Sequence, residues 1–181
     1  QYTNEVGVQG ICPLGWHVPS DEEWKVLSGA VDSKNRIGDF GWDLDGLRGW
    51  DAGKNLKTNE GWIGIEGDDL YGFSGMPAGY HMNGGGTGGI GTSSVWWTST
   101  ESSIQSAWYH SIDDTWFVFR YGGTFNYKED GSSVRCIKNL DSQAPLAEFT
   151  ATPTSGPVPL EVSFTDLSEN NPTSWQWDFG D

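Results

Sequence analysis

Residues 11–24 read ICPLGWHVPSDEEW. A cysteine stands five residues before a histidine, and three carboxylates follow directly after Ser20. Two readings compete. Cys12 and His17 would be a nucleophile and its base if they met with an acid nearby, or Cys12 is a staple and the stretch is the seam of a domain. The carboxylates have a structural explanation of their own. Ser20-x-x-Glu23 is a capping box, in which each side chain satisfies a free amide at the start of a helix. Pro19 fixes the entry, and Asp21, Glu22 and Glu23 are favoured at the positive end of the helix dipole. Trp24, Leu27 and Val31 then share one face at helical spacing, and the helix is predicted to end between Gly29 and Ser33.

Composition narrows the class. The 181 residues include 11 Trp and 26 Gly, with aromatics at 14% and few Leu or Met, a mix that favours a loop-rich fold with short strands over a helical bundle. The formal charge of −15 repels phosphate backbones and anionic lipid, so nucleic acid and membrane surfaces are excluded as partners. No apolar run approaches the ~18 residues of a membrane span. No signal peptide is recognisable, and Gln1 reads as the start of a trimmed or processed chain.

The two cysteines, Cys12 and Cys136, sit alone, without the CxxC or CxxH units of a zinc site. In an acidic, Trp- and Gly-rich chain with an even cysteine count, the expectation is a disulfide in an oxidising compartment. Closing so long a loop is worth about 4–5 kcal/mol in the chain-entropy account. Residues 34–93 read as turns and long loops, including the Gly84–Gly89 run, which lacks the Lys-Ser/Thr ending of a phosphate-binding loop. Polarity then nearly alternates in SSVWWTSTE, SAWYHSI, TWFVFRY and SSVRCIKN, an antiparallel meander of three or four strands whose last member carries Cys136.

The blocks ICPLGWHVPSDEEW, YGFSGMPAGYH, WWTSTE, AWYHSI and SVRCIKN, in this order from Gly7 to Asn139, resemble the Fibrobacter succinogenes major paralogous domain family. That family looks related to the formylglycine-generating-enzyme branch of C-type-lectin-like folds. The resemblance implies a module of large secreted or surface proteins of Bacteroidetes-like bacteria. Its first strands, expected upstream of Gly7, are largely missing here. The enzyme branch keeps two reactive cysteines close together near the C-terminal part of its domain. Here only Cys136 lies there, so the oxidase chemistry is not carried over. After the polar linker NLDSQAP, residues 146–181 resemble the first half of a polycystic-kidney-disease (PKD) domain, an immunoglobulin-like sandwich, through Pro153, Gly156, Pro159, Val162, Phe164 and the terminal WQWDFGD. Leu160, Val162 and Phe164 alternate as one inward face.

The expected class is therefore α+β. A C-type-lectin-like, loop-rich domain over 1–139 carries a capped helix and a C-terminal meander; a linker spans 140–145, and an incomplete Ig-like sandwich spans 146–181. The meander holds more large aromatics than a small sheet buries, and such side chains give rigid contact area for sugars or proteins. The expected ligand-binding residues are Trp108, His110, Asp113, Asp114, Trp116, Phe119, Tyr121, Phe125 and Tyr127. No catalytic or metal site is expected, and no cofactor. Calcium stays open through Asp43, Asp45 and Asp51, or Asp68 and Asp69, although solvated turn aspartates are the default. The function read from these residues is non-catalytic adhesion or ligand display outside the cell, with a glycan or protein partner. One alternative is a building block of a surface fibre, self-associating through the incomplete sandwich. Another is an enzyme-like relative with a retained cleft.

Overall fold

The computed structural model describes residues 7, 9–123, 127–139, 146–169 and 175–177. The chain divides into two compact units, Gln1–Asn139 and Leu140–Asp181. Among the described residues, no helix is long and apolar enough to cross a membrane.

The first unit is mixed α/β and mostly strand. Its helix α1 (Asp21–Val31) starts where the capping box puts it. Ser20 Oγ accepts from the Glu23 amide at 3.3 Å, and Glu23 Oε2 accepts from the Ser20 amide at 2.8 Å. Trp24, Ser28 and Val31 are buried, with Leu27 packed beside them.

Residues 34–93 hold more regular structure than their turn-rich composition predicts. A 3₁₀ turn (Phe40–Asp43), strand β2 (Gly46–Arg48), helix α2 (Ala52–Leu56), and strands β3 (Ala78–His81) and β4 (Thr87–Ile90) all lie there. The reason is tertiary. α2 has no amphipathic length of its own, but Gly53 lets it approach the backbone around Phe117 so closely that a Cβ would stand 2.0 Å from that carbonyl oxygen. The glycine run is likewise only half loop, since Thr87–Ile90 pairs antiparallel with β3.

The meander supplies β5 (Ser94–Glu101), β6 (Ala107–Ile112) and β7 (Val118–Tyr121), and the six-stranded sheet runs in the order β2-β7-β6-β5-β3-β4. Its expected last strand, SSVRCIKN, is divided. The segment Gly131–Ser133 slots between β3 and β5, bonding His81 on one side and Val95 and Trp97 on the other. Only Ile137–Lys138 (β8) is strand beyond it, and it pairs with Trp16–His17 (β1) in a separate two-stranded sheet. Cys136 therefore sits just before a strand, 5.8 Å Cα to Cα from Cys12, and the two are joined by a disulfide. One sheet face packs on α1 and α2 through a core of Trp24, Val31, Trp42, Ala52, Leu56, Trp62, Trp96, Ile112 and Val118.

In the second unit, β9 (Phe149–Thr152) and β10 (Ser163–Asp166) form an antiparallel pair. The rings of Phe149, Phe164 and Trp177 cluster at 5.2–6.0 Å and stay largely exposed. Leu160 and Phe164, read from the sequence as inward, are 38% and 42% exposed.

Candidate functional site

The opening stretch forms a closure. Cys12 is bonded to Cys136, and His17 is buried with both ring nitrogens engaged: Nδ1 lies 2.7 Å from Asn139 Oδ1 and Nε2 lies 2.9 Å from Glu23 Oε1. Burial pulls the His17 pKa down, but the bonds to Asn139 and Glu23 outweigh it and leave it raised. One histidine thus ties the end of β8 to the capping box of α1.

Strand alternation sends opposite-parity residues of β6 to opposite faces. Trp108, His110 and Ile112 point inward, and Tyr109 and Ser111 outward, each set opposite its like on β5 and β7. The inner set is an electrostatic clasp. Asp21, in the first turn of α1, accepts a two-pronged pair from Arg120 (Nε to Oδ1 and Nη2 to Oδ2, both 2.6 Å), and His110 Nε2 lies 3.0 Å from Oδ1. All three are buried. Burial alone would raise the Asp21 pKa; His110 and Arg120 hold it far below the carboxylate range. His110 is lowered, chiefly by burial, and its ring stacks on Trp24 at 5.5 Å. Arg120 covers the Trp108 ring at 3.4 Å. Next to it, Arg48 donates to the carbonyls of Trp42 and Arg120, and burial with the Arg120 charge brings its pKa down to about 10.

The eight expected ligand residues that are described therefore do not converge. His110, 3% exposed, belongs to the clasp, and Trp108 is partly buried under Arg120. Both lie on the inner face, because the parity that carries the histidine is the parity that faces α1. Asp113, Asp114 and Trp116 occupy the β6–β7 turn. There Lys57, fully buried, donates to the carbonyls of Ile65, Asp113 and Thr115 at 2.7–3.1 Å, and Asp113 Oδ1 accepts from Thr115. Trp116 is exposed with Lys54 over its ring at 5.6 Å. Tyr127, also exposed, pairs with Ser106 at the other end of β6, about 20 Å away at ~3.3 Å per residue. Phe125 lies outside the described residues.

Phe119 and Tyr121 are on the outer face, and the sequence reading missed what surrounds them. A row of rings crosses β5, β6 and β7: Trp97 to Tyr109 at 6.5 Å, Tyr109 to Tyr121 at 5.7 Å, Tyr121 to Phe119 at 6.2 Å. Tyr121 is 38% exposed, and Leu47, opposite Phe119 on β2, is 50% exposed. The row opens into a groove of about 370 Å³ lined by Tyr80, Met82, Ser93, Val95, Trp97, Tyr109, Ser111, Asp130 and Ser132. That lies in the range of small-ligand sites. Tyr80 forms one wall, its ring lying against Gly88 on the paired strand, where a Cβ would stand 2.7 Å from Cζ. Asp130 is fixed by the amides of Asn83 and Tyr127.

The aspartates that left calcium open are each engaged within the chain. Asp43 bonds Lys25, Asp45 lies 3.6 Å from Arg120, Asp51 accepts from Ser33, Asp68 pairs with Lys54, and Asp69 accepts from Ser74. Among the described residues, no group of three or more His, Cys, Asp or Glu is placed to hold a metal ion.

The family model of the Fibrobacter succinogenes major domain matches residues 1–138, and the chain belongs to that family. Neither a curated protein nor a solved structure matches it.

Proposed function

We propose that this member of the Fibrobacter succinogenes major domain family is a non-catalytic, extracellular ligand-binding module of a larger secreted or cell-surface bacterial protein. In this reading the first unit is C-type-lectin-like, the second is PKD-type and Ig-like, and the ligand, a glycan or a protein, seats on the outer face of the sheet. One observation carries it: the half-exposed row Tyr109–Tyr121–Phe119 runs into a preformed groove on the face opposite the core. Large aromatics on a rigid strand scaffold supply contact area at low entropic cost, and Tyr and Trp dominate binding hot spots. The non-catalytic reading is supported by where the ionisable groups lie, since Asp21, His110, Arg120 and Arg48 are consumed in holding the helix on the sheet. The extracellular reading is supported by the disulfide. The test is a binding screen against glycans and surface proteins with the original chain, Tyr121→Ala and Trp116→Ala. The outer face predicts loss with Tyr121→Ala and little change with Trp116→Ala; the reverse overturns the placement.

A second reading, a structural block of a surface fibre, is favoured by the second unit. Its strand pair exposes Phe149, Phe164 and Trp177 together, and unpaired strand edges invite strand addition by another chain. It predicts concentration-dependent self-association in sedimentation, abolished by deleting residues 146–181 with the first unit still folded. A monomeric full chain excludes it.

A further inference from the structure

The chemistry of the groove restricts what it can hold, and we infer that its ligand is a neutral oligosaccharide, stacked on Tyr121 and Tyr80. This inference rests on the reading of the outer face as the binding surface.

Charge comes first. Among the described residues that line the groove, Asp130 is the one carboxylate and none is Lys, Arg or His; both oxygens of Asp130 already accept backbone amides, Oδ1 from Asn83 at 2.7 Å and Oδ2 from Tyr127 at 3.0 Å. The arginines of the sheet are elsewhere, Arg120 and Arg48 being buried on the inner face, and Lys57, just after α2, is buried under the β6–β7 turn. An anionic ligand would meet no countercharge here and would approach a chain of formal charge −15. A cationic one would have to compete for a carboxylate already bonded twice. An uncharged ligand meets neither cost.

Besides the Asp130 carboxylate and the Trp97 indole, the polar side chains that line the groove are the hydroxyls of Tyr80, Ser93, Tyr109, Ser111 and Ser132. Each hydroxyl can donate and accept, which matches the hydroxyls of a sugar ring without fixing one orientation in advance. Between them lie flat rings, whose faces suit the apolar C–H face of a pyranose. The backbone of a sheet face is occupied by its own ladder, so an extended peptide finds no main-chain partners there; strand addition uses an edge. Trp97 and Tyr121 are two strand spacings apart, about 10 Å, long enough for more than one sugar ring.

The glycines make the wall specific. Tyr80 stands opposite Gly88 in the β3–β4 register, and its ring fills the space a side chain would take at Gly88, with Gly89 bringing further room (a Cβ there would be 3.3 Å from Cε1). Bare backbone at Gly88 thus sets the ring's pose. Gly88 is not in a left-handed conformation, so alanine fits its backbone and displaces only the Tyr80 ring.

The experiment titrates the purified chain with neutral gluco-, manno- and galacto-oligosaccharides, with anionic oligogalacturonate and with cationic chitosan oligomers, at low and high salt. Gly88→Ala, Tyr80→Ala and Tyr121→Ala are run beside it, their thermal midpoints checked against the original chain. The expected result is binding of a neutral member, indifferent to salt, that weakens at least about tenfold in each variant, as loss of a hot-spot aromatic does, with the midpoints unchanged. If no neutral member binds, the sugar assignment is overturned; if the charged oligomers or a folded protein bind instead, in a Tyr121-dependent way, it is overturned and the binding face stands. If a ligand of any class binds the Tyr80→Ala and Tyr121→Ala chains as it binds the original, the face itself is overturned.

Discussion

On β5, β6 and β7 the two faces of the six-stranded sheet use their side chains differently. Inward, β6 and β7 carry His110 and Arg120, and both are closed onto Asp21 at hydrogen-bond distance beneath the helix. Outward, the neighbouring positions carry Tyr109, Phe119 and Tyr121, which touch one another and reach the surface. The difference teaches where to look for function in this molecule. Charge that is buried and bonded from several sides holds elements together, whereas aromatic area left in reach of solvent on a rigid sheet is available to a partner.

The comparison breaks first where the unit is fastened. Reduction of Cys12–Cys136, which spans 124 positions, should destabilise the first unit by about 4–5 kcal/mol in the chain-entropy account. Denaturant unfolding with and without reductant measures this, and quantitative thiol labelling of the native chain would contradict the bridge. Next comes the clasp. Asp21→Asn leaves Arg120 buried against a neutral partner and should cost about 3–5 kcal/mol. The sign with pH is fixed: because the folded pKa of Asp21 is depressed, its contribution is complete above the unfolded value of about 4 and is lost as pH falls below it. The gap between the variant and the original chain should therefore narrow in acid.

The outer face should answer in the opposite way. Tyr121→Ala should change stability by no more than about 0.5 kcal/mol while removing about 2 kcal/mol or more of ligand binding. A Tyr121→Ala chain that unfolds like Asp21→Asn would mean that the two faces do not divide the work. The smallest effect is at the seam. The His17 pKa is raised in the folded chain, so its contribution is complete below the unfolded value of about 6.5 and is lost as pH rises through the folded value. His110, lowered by burial, works against the fold as pH falls below about 6.5. His17→Gln should therefore differ most from the original chain on the acid side and converge with it in mildly alkaline buffer, read as urea midpoints across pH.

Much of this frame is legible in residues 11–24. Ser20 and Glu23 announce the helix start because capping is a local matter of two side chains and the amides beside them. The meander is legible because alternation is local too. What is not legible depends on register and on distant partners. Both parities of AWYHSI contain aromatics, so the sequence does not say which set faces the core. The decision rests on Asp21, 89 positions from His110, being there to receive it. SVRCIKN has the pattern of one strand, but Ser133 bonds Val95 and Trp97 on β5, and only Ile137 and Lys138 are strand, paired with His17 and Trp16. The Tyr80 wall was hidden for the same reason: Gly88 reads as loop until the β3–β4 pairing sets it opposite a tyrosine.

The central claim, that a ligand seats on the outer face, is tested most directly by hydroxyl-radical footprinting of the aromatic side chains, with and without a saturating neutral oligosaccharide. The account predicts reduced labelling at Tyr80, Tyr109 and Tyr121, with Trp116 and Tyr127 unchanged. Reduced labelling confined to Trp116 at the β6–β7 turn, or to Phe73 and Trp24 in the smaller apolar groove beside Cys136, would contradict it.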